Sequence, residues 1–258
     1  MLPRRERVTF TGSLGHALVG RLDRPPGVPR AWVLMAHCFT CGKDLKGMNW
    51  IARELVDRRI AVLRFDFTGL GESAGDFADT SFSSNVADLV AAADWLRAAQ
   101  RAPDLLVGHS LGGTAALVAA ARIPEVRAVV TIAAPADTGH MRAFLTRQAP
   151  ALAPEATAEV DVMGRAVRIR GRMIADLDHH DVAGAIASLG RPLLVLHSPA
   201  DTVVQIAEAR RIFEAARHPK SFVALDGADH LLVEREADAR FVAELLAAWA
   251  GRYVGGAG

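Results

Sequence analysis

Residues 105–113 of the chain read LLVGHSLGG. A short apolar run, of the kind that forms a buried strand, is followed by Gly-x-Ser-x-Gly, and a helical pattern starts directly afterwards at Leu111. Such a sharp turn forces the serine into a strained backbone conformation, which only the small neighbours Gly108 and Gly112 can accommodate. The segment therefore predicts a nucleophile elbow that exposes the hydroxyl of Ser110 above a sheet. The alternative is a glycine-rich turn in which the serine is incidental.

Apolar runs and helical patterns alternate along the chain, which indicates an α/β domain with a mostly parallel sheet. Runs without polar alternation are typical of strands that are covered on both faces. The strand-like runs are residues 31–36, 60–65, 104–107, 126–132, 192–197 and 221–225, and the helical patterns are 45–59, 84–99, 111–122, 206–216 and 237–253. Residues 7–11 and 16–22 flank a glycine-containing turn and predict an antiparallel hairpin at one edge of the sheet.

One long connection interrupts this alternation. Residues 137–190 contain Pro150, Pro154 and a hairpin-like segment centred on Gly164. Connections of this length are rarely structureless inside a compact domain, so the segment is expected to form an inserted subdomain. The predicted organisation is an α/β core of residues 1–136 and 191–258 with a small cap of residues 137–190.

Composition excludes several classes of protein. The chain has 258 residues, 51% of them hydrophobic, with 30 basic side chains against 29 acidic ones and two cysteines. This balance leaves no excess of basic residues for binding nucleic acid, and two cysteines are too few for a disulfide-rich secreted domain. The N-terminus lacks the apolar core of a secretory signal, and the longest small-apolar stretch, residues 114–121, is too short to cross a bilayer. We expect a cytoplasmic protein without nucleic-acid or membrane partners.

A serine nucleophile needs a base, and the base needs an acid to orient it. The elbow motif predicts the chain order serine, acid, histidine. Asp201 and His230 follow late strand patterns and fit this order, and sites in open α/β sheets form at the carboxyl ends of the strands. Asp226 and Asp229 are rival acids that crowd the histidine in sequence. The alternatives are that Asp201 caps the next helix and that His230 is an ordinary loop histidine.

Acyl transfer also requires donors for the developing oxyanion. One donor is expected to be the amide of Leu111, which follows the nucleophile, and the other is expected in the loop after the third strand, residues 37–44. Phe39 is the candidate in that loop, with its side chain lining the acyl pocket. The predicted substrate contacts are Phe39, His109, Met141 and Phe144, and the cap also offers Leu145, Met163 and Met173.

Cys38 and Cys41 have the spacing of a dithiol redox pair. Residues 42–44 separate them from the next helical pattern, whereas a redox pair is expected at a helix N-terminus. No further Cys or His spacing suggests zinc. The favoured interpretation is that the cysteines are small, soft residues that shape the oxyanion loop, and a dithiol redox module remains the alternative.

Two further motifs carry weaker signals. The glycine-rich stretch from Gly69 to Gly75 misses the dinucleotide-binding spacing by one residue, and no helix follows it at once. Residues 178–181 read DHHD, but adjacent histidines on a helix point in different directions, which disfavours a metal cluster. We expect neither a metal nor an organic cofactor.

Five segments in chain order resemble the α/β-hydrolase superfamily. They are HCFT at 37–40, FDFTGLGES at 65–73, GHSLGG at 108–113, SPAD at 198–201 and GADH at 227–230. More narrowly, the chain resembles the hydrolase module of bacterial proteins that carry an OsmC-like peroxide-reducing domain, and it is similar to small-capped hydroxycinnamoyl esterases. The resemblance implies an α/β-hydrolase fold of about eight mostly parallel strands flanked by helices, with a cap after the sixth strand.

The same resemblance implies a triad of Ser110, Asp201 and His230, with oxyanion donors at Phe39 and Leu111. Relatives commonly carry glycine at the position of Cys38. Nothing after Tyr253 corresponds to an OsmC-like domain, so the chain is expected to be the hydrolase part alone.

The predicted activity is that of a serine esterase acting on a small-molecule ester. A thioesterase or amidase with the same triad, a redox module and a non-catalytic binding protein are the alternatives, as fold does not fix function. A homodimer and a functional link to an OsmC-like peroxide-reducing protein are further expectations that the sequence leaves open.

Overall fold

The computed structural model describes residues 2–162 and 164–254. Within these residues eight strands form one sheet in the order β1-β2-β4-β3-β5-β6-β9-β10, and β7 and β8 form a separate pair. The strands are β1 (Arg4–Thr11), β2 (Ala17–Arg24), β3 (Ala31–Ala36), β4 (Ile60–Phe65), β5 (Leu105–His109), β6 (Ala128–Ile132), β7 (Thr157–Val162), β8 (Arg165–Arg170), β9 (Leu193–His197) and β10 (Lys220–Ala224).

The predicted α/β-hydrolase architecture is confirmed, including the antiparallel edge. β1 pairs with β2 and β2 with β4 in antiparallel register, and all the other neighbours in the large sheet are parallel. The helices are α1 (Lys46–Asp57), α2 (Phe82–Ala99), α3 (Leu111–Ala119), α4 (Gly139–Gln148), α5 (Gly171–Asp176), α6 (Val182–Ala187), α7 (Ile206–Ala215) and α8 (Glu236–Ala250). None of these described helices has the length and apolar composition that crossing a membrane requires.

The central strands are mostly apolar because both faces of the sheet are covered. Successive side chains of a strand point to opposite faces. In β3, Trp32, Leu34 and Ala36 contribute to the core under α2, α3 and α7, whereas Ala31, Val33 and Met35 contribute to the core under α1 and α8. The carboxyl ends of β3, β5, β9 and β10 consequently meet at one edge of the sheet, where the site residues were predicted.

The start of α2 differs from the prediction. The apolar periodicity suggested a beginning at Ser84, but the helix begins at Phe82 because Ser81 caps it. Oγ of Ser81 accepts the amide of Ser84, and Oγ of Ser84 accepts the amide of Ser81. This reciprocal capping box satisfies donors that the first turn of a helix otherwise leaves unpaired.

The segment between β6 and β9 contains α4, the β7–β8 hairpin, α5 and α6. The hairpin turns at Gly164, which has a positive φ of 79°, as the sequence pattern suggested. Arg170 and Arg172 both pair with Asp79 of the core, and Nη1 of Arg165 donates to the carbonyl oxygen of Thr40 at 3.0 Å. These contacts fasten the inserted elements onto the loops at the carboxyl edge of the sheet. The boundaries of the cap at 137 and 190 stay a prediction.

A buried guanidinium ties the edge of the sheet to the loop after β3. The side chain of Arg64 is 1% exposed, and its Nη2 donates to Oδ2 of Asp23 at 2.6 Å. Its Nη1 donates to the carbonyl oxygen of Lys43 at 2.6 Å and to Oδ1 of Asn49. One side chain therefore joins β2, β4, the 37–44 loop and α1.

We predict that Arg64→Leu lowers the free energy of unfolding by about 3 kcal/mol, because it leaves the carboxylate of Asp23 buried with part of its pairing removed. Urea denaturation measures the change. The matched control is Arg53→Leu, which removes a guanidinium that is 50% exposed and pairs with Glu236 at the surface. That variant should lose less than about 1 kcal/mol. Equal losses in the two variants would contradict a structural role for the buried pair.

Candidate active site

Ser110 occupies the sharp turn between β5 and α3. Its backbone has φ 53° and ψ −130°, a conformation that non-glycine residues seldom adopt. A Cβ at Gly108 would overlap the backbone of residues 112 and 113, and a Cβ at Gly112 would overlap the carbonyl oxygen of His37. Both glycines are therefore required by close backbone approach. The turn has the strained geometry that an elbow needs, which disfavours an incidental serine.

The structure brings the three predicted triad residues together. Nε2 of His230 lies 3.1 Å from Oγ of Ser110, and Nδ1 of His230 lies 2.7 Å from Oδ2 of Asp201. All three side chains are buried. They come from the ends of β5, β9 and β10, so that the sheet, rather than local sequence, creates their contact. A nucleophile, a base and an orienting acid within hydrogen-bond reach can carry out acyl transfer.

Asp201 uses its two carboxylate oxygens differently. Oδ1 accepts the amides of Val203 and Val204 at 2.8 and 2.9 Å, which leaves Oδ2 for His230. Burial raises the pKa of Asp201, but the hydrogen bond and charge of His230 and these amides lower it more, so the net pKa lies below its ordinary value. The following helix is preceded by Gln205, so Asp201 does not cap it.

The rival acids serve other purposes. The carboxylate of Asp229 accepts the amides of Leu231, Val233 and Glu234 and closes a tight turn directly after the histidine. Asp226 offers its carbonyl oxygen to Arg235. Neither carboxylate bonds to His230 within the part of the chain that the structure describes. Of the three acids considered, Asp201 is therefore the one that contacts the base.

The prediction that His109 contacts substrate needs correction. Its side chain is buried, its Nε2–H donates to the carbonyl oxygen of His230 at 2.7 Å, and the two rings lie 5.0 Å apart. Burial, together with the charge of the neighbouring His230, lowers the pKa of His109 to about 3. The ring is thus a neutral donor behind the base, where it holds the backbone of the base in place and does not line the substrate cavity.

Two more histidines hold the loops of the site, and sequence reasoning missed both roles. Nε2–H of His197 donates to the carbonyl oxygen of Val204 at 2.7 Å and lies 3.5 Å from Oδ2 of Asp201. Nδ1–H of His37 donates to the carbonyl oxygen of Cys38, and its Nε2 accepts the amide of Phe67. Burial lowers the pKa of both rings. Their position at the ends of β3 and β9 was the available sequence signal.

The amides predicted to form the oxyanion hole are available for a ligand. In residues 2–162 and 164–254, neither the amide of Phe39 nor that of Leu111 has a hydrogen-bond acceptor. Leu111 is the first residue of α3, where amide donors are normally unpaired and the helix dipole is positive. Such donors suit an anion that forms on a carbonyl bound to Ser110.

Cys38 and Cys41 are joined by a disulfide, so the interpretation that they are merely two small side chains shaping the loop was incomplete. Their Cα atoms are 5.3 Å apart, within the range that a disulfide requires. The bridge encloses Phe39 and Thr40, and the amide of Cys41 donates to the carbonyl oxygen of Cys38 at 3.3 Å. No group of His, Cys, Asp and Glu side chains in the described ranges could hold a metal ion.

Two cavities lie on either side of residues 40 and 41. The smaller has a volume of about 80 Å³. Its lining includes the disulfide, Ser110, His230 and the apolar side chains Phe39, Met141, Phe144, Val162 and Val203. The larger has a volume of about 420 Å³, and its lining combines apolar side chains with the charged residues Lys43, Asp66, Glu72 and Arg165. Phe39, Met141 and Phe144 therefore line a cavity together with Ser110, and their contact with substrate stays a prediction.

Two other cap residues considered from sequence, Leu145 and Met173, do not line the smaller cavity. Leu145 and Met173 are buried in the core beneath it, and Met163 lies outside the described residues. The glycine-rich loop after β4 wraps around Asp66, whose carboxylate accepts the amides of Lys43 and Glu72. It therefore braces the loop of residues 37–44.

Comparison with solved structures finds the same fold in esterases. The esterase domain of a Rhodothermus marinus protein is 47% identical to this chain, with a TM-score of 0.81 and coverage of 97% of this chain and 99% of that chain. Est1E from Butyrivibrio proteoclasticus, solved with ferulic acid, also has a TM-score of 0.81, at 18% identity and with coverage of 95% and 99%. At this low identity, the likeness to Est1E shows a shared fold and nothing more.

Comparison with curated proteins gives more distant relatives. Mitochondrial palmitoyl-protein thioesterase ABHD10 of Mus musculus is 28% identical over 207 residues, which are 74% of this chain and 67% of that protein. A monoacylglycerol lipase of Mycolicibacterium smegmatis is 24% identical over 242 residues, which are 81% and 84%. A family model for the alpha/beta hydrolase family matches residues 26–245, well over half of the sequence. The chain therefore belongs to the alpha/beta hydrolase family.

Proposed function

We propose that the protein is a serine esterase that cleaves carboxylic esters through an acyl-enzyme on Ser110. The observation that carries the proposal is the continuous hydrogen-bond path from Oγ of Ser110 through the ring of His230 to Oδ2 of Asp201. Ser110, the strained elbow residue, lies at one end of this path. The ionised carboxylate of Asp201, which accepts two backbone amides, lies at the other end and gives proton transfer a direction. The 47% identical esterase domain supports the same activity.

In the proposed mechanism Oγ of Ser110 attacks the ester carbonyl while Nε2 of His230 takes its proton. Asp201 holds the Nδ1–H of the ring and stabilises the imidazolium that forms. The imidazolium then gives its proton to the departing alcohol. Water attacks the acyl-enzyme in the same way, with His230 again acting as base, and releases the carboxylic acid and Ser110.

The tetrahedral intermediate carries a negative charge on the former carbonyl oxygen. The amides of Phe39 and Leu111 are the proposed donors to this oxygen. Loss of one such donor typically costs about 3 kcal/mol of transition-state stabilisation. The rate should therefore depend on the backbone geometry of residues 37–41 as strongly as on side-chain chemistry.

Histidine protonation supports the assignment of the base. His37, His109 and His197 each donate to a backbone carbonyl, and burial lowers the pKa of each ring. They are therefore held neutral with their protons committed to fixed acceptors. His230 differs from them because its two nitrogens contact a serine hydroxyl and a carboxylate. Its ring is the one suited to move a proton during the reaction.

The cavity beside Ser110 supports a short acyl group. Its volume of about 80 Å³ is below the ~150 Å³ of a cavity that holds a benzene ring. A feruloyl group or the palmitoyl group named for the mouse relative would need a larger space. Apolar walls favour an aliphatic chain. The cavity beyond Cys41, whose lining includes Glu72 and Arg165, can receive the alcohol portion. A thioester with a short acyl chain would fit the same walls, so it is the second substrate class to test.

We predict that Ser110→Ala abolishes labelling by a fluorophosphonate probe and lowers kcat/KM for p-nitrophenyl butyrate by at least ~10⁴-fold. The cause is the loss of the nucleophile at an otherwise intact turn. The matched control is Ser188→Ala, which removes a hydroxyl that bonds locally within the cap near α6. That variant should label and turn over like the wild type. Full labelling of the Ser110 variant, or a wild type that hydrolyses no short ester or thioester, would sink the proposal.

We predict that acetyl and butyryl esters are better substrates than octanoyl, palmitoyl or feruloyl esters, because the apolar walls close around a short chain. Phe144→Ala should shift the optimum to longer chains by enlarging the cavity. The matched control, Phe241→Ala, truncates a phenylalanine that is 48% exposed on α8 and should leave the optimum unchanged. The measurement is kcat/KM across an acyl series in matched esters and thioesters. A wild-type optimum at palmitoyl would show that the cavity does not hold the acyl chain.

We predict a pH dependence of stability from the buried histidines. The pKa of His109 is about 3 in the folded protein against 6.5 for an ordinary histidine. The unfolded chain therefore binds a proton that the folded one does not between these values. Stability should fall as pH drops below 6.5, at about 1.4 kcal/mol per pH unit for each such histidine. Above pH 6.5 this contribution is constant.

His109→Gln should reduce that slope by the contribution of one histidine, about 1.4 kcal/mol per pH unit, in urea denaturation between pH 6.5 and pH 5. Glutamine keeps an N–H donor but does not titrate. The control is His16→Gln, which replaces an exposed histidine and should leave the slope as it is. A slope unaffected by the substitution at 109 would show that its ring titrates alike in the folded and unfolded states.

A further inference from the structure

The turn that carries the amide of Phe39 is closed mainly by the disulfide. Apart from the bridge, residues 38–41 are held together by one hydrogen bond, from the amide of Cys41 to the carbonyl oxygen of Cys38 at 3.3 Å. The cap adds one contact, from Arg165 to the carbonyl oxygen of Thr40. Opening the bridge would leave the turn with these two bonds, the bond from Nδ1–H of His37 to the carbonyl oxygen of Cys38, and the packing of the Phe39 ring against Phe77.

The flanks of the turn are anchored independently of the bridge. On one side, Nε2 of His37 accepts the amide of Phe67. On the other, the amide and Nζ of Lys43 donate to the carboxylate of Asp66 at 2.6 and 2.8 Å. Any loosening is therefore confined to residues 38–41, and the fold around them can stay intact.

The bridge is reachable from one side. Cys41 is half-buried and lines both cavities, whereas Cys38 is buried and lines only the smaller one beside Ser110. The larger cavity, about 420 Å³, gives a thiol room to approach Sγ of Cys41. Arg165 faces that cavity and makes no ion pair within the described residues, so it offers a cation to an incoming thiolate.

We propose that the Cys38–Cys41 disulfide is a thiol-exchange site through which a dithiol reductant lowers the turnover of the esterase. The proposal rests on the proposed function only for its effect on turnover, because exchange at the sulfurs is independent of Ser110.

The exchange balances without any further reactant. A thiolate of the dithiol attacks Sγ of Cys41, the bond between the two protein sulfurs breaks, and Sγ of Cys38 leaves as a thiolate. The second thiol of the reductant then attacks the mixed disulfide and releases Cys41. The reductant becomes a disulfide, and its two protons end on Cys38 and Cys41. Two electrons pass from the reductant to the protein.

Turnover should fall because the amide of Phe39 is proposed to act on the oxyanion. A donor that strengthens its interaction in the transition state affects kcat rather than KM. Complete loss of such a donor costs about 10²–10³ in kcat. A loosened donor should cost less, so the expected decrease lies between about 10-fold and that limit.

The first measurement is the number of reactive thiols, with dithiothreitol as the reductant. The chain has two cysteines, so native protein should change from none to two alkylated residues, which peptide mass spectrometry would place at 38 and 41. Circular dichroism before and after treatment checks that the fold persists. Alkylation that appears only after denaturation overturns the exchange site, whatever the enzyme hydrolyses.

The second measurement is kcat and KM for a short p-nitrophenyl ester in the oxidised, reduced and reoxidised protein. Reduced protein should show the lower kcat with KM unchanged within about twofold, and reoxidation should restore it. Cys38→Ser/Cys41→Ser should have the reduced rate and ignore dithiothreitol. If that variant does not fold, the cycle of reduction and reoxidation on the wild type decides.

Equal kcat in oxidised and reduced protein overturns the effect on turnover. If neither form hydrolyses an ester, the proposed function fails and the effect on turnover fails with it. The thiol count still decides whether the disulfide exchanges, so failure of the exchange site and failure of the esterase give different results.

Discussion

The site depends on one constraint, the close approach of the elbow backbone at Gly112 to the loop that follows β3. The absence of a side chain at Gly112 lets the first turn of α3 lie against the carbonyl oxygen of His37. This contact places the start of a helix, with its unpaired amides, beside the loop that follows β3. Ser110 lies between the two. A single methyl group at position 112 would separate the nucleophile from one of its two proposed oxyanion donors.

Around this contact, the loops of the site are fastened by groups that do not change their charge. His37, His109 and His197 each lie at the carboxyl end of a strand and donate to the backbone of a loop. Because burial keeps these rings neutral, they act as rigid donors and leave the net charge of the site to Asp201 and the base. Lys43 and Asp66 form a buried ion pair that also holds the loop of residues 37–44. A fixed polar scaffold of this kind is what transition-state stabilisation requires.

Much of the fold could be predicted from the sequence because its central strands are mostly apolar and its elbow motif is specific. Ser110, Asp201 and His230 could be singled out because chain order and strand position restrict each to few candidates. The start of α2 could not be found from periodicity, since a side-chain cap at Ser81 fixed it. The prediction that His109 contacts substrate was wrong because a sequence motif does not fix the direction in which the side chain points.

The cysteines illustrate a different limit. Their spacing allows a dithiol, a disulfide or two unrelated side chains, and the choice depends on how the chain turns between them. The placement of its flanks depends on contacts far away in sequence, such as that of Asp66 with Lys43. Likewise, the role of His197 depends on a carbonyl oxygen seven residues later, whose position follows from the loop and not from any local pattern.

The bond from Arg165 to Thr40 has a consequence for protein engineering. The inserted segment of an α/β hydrolase is an obvious part to exchange when a different substrate specificity is wanted. Here the hairpin of that segment holds the peptide next to Phe39, so the segment also supports the loop that carries a proposed oxyanion donor. A chimera with a foreign insertion would change two properties at once. Retaining the guanidinium at the start of β8 would be the condition for altering selectivity without slowing the chemistry.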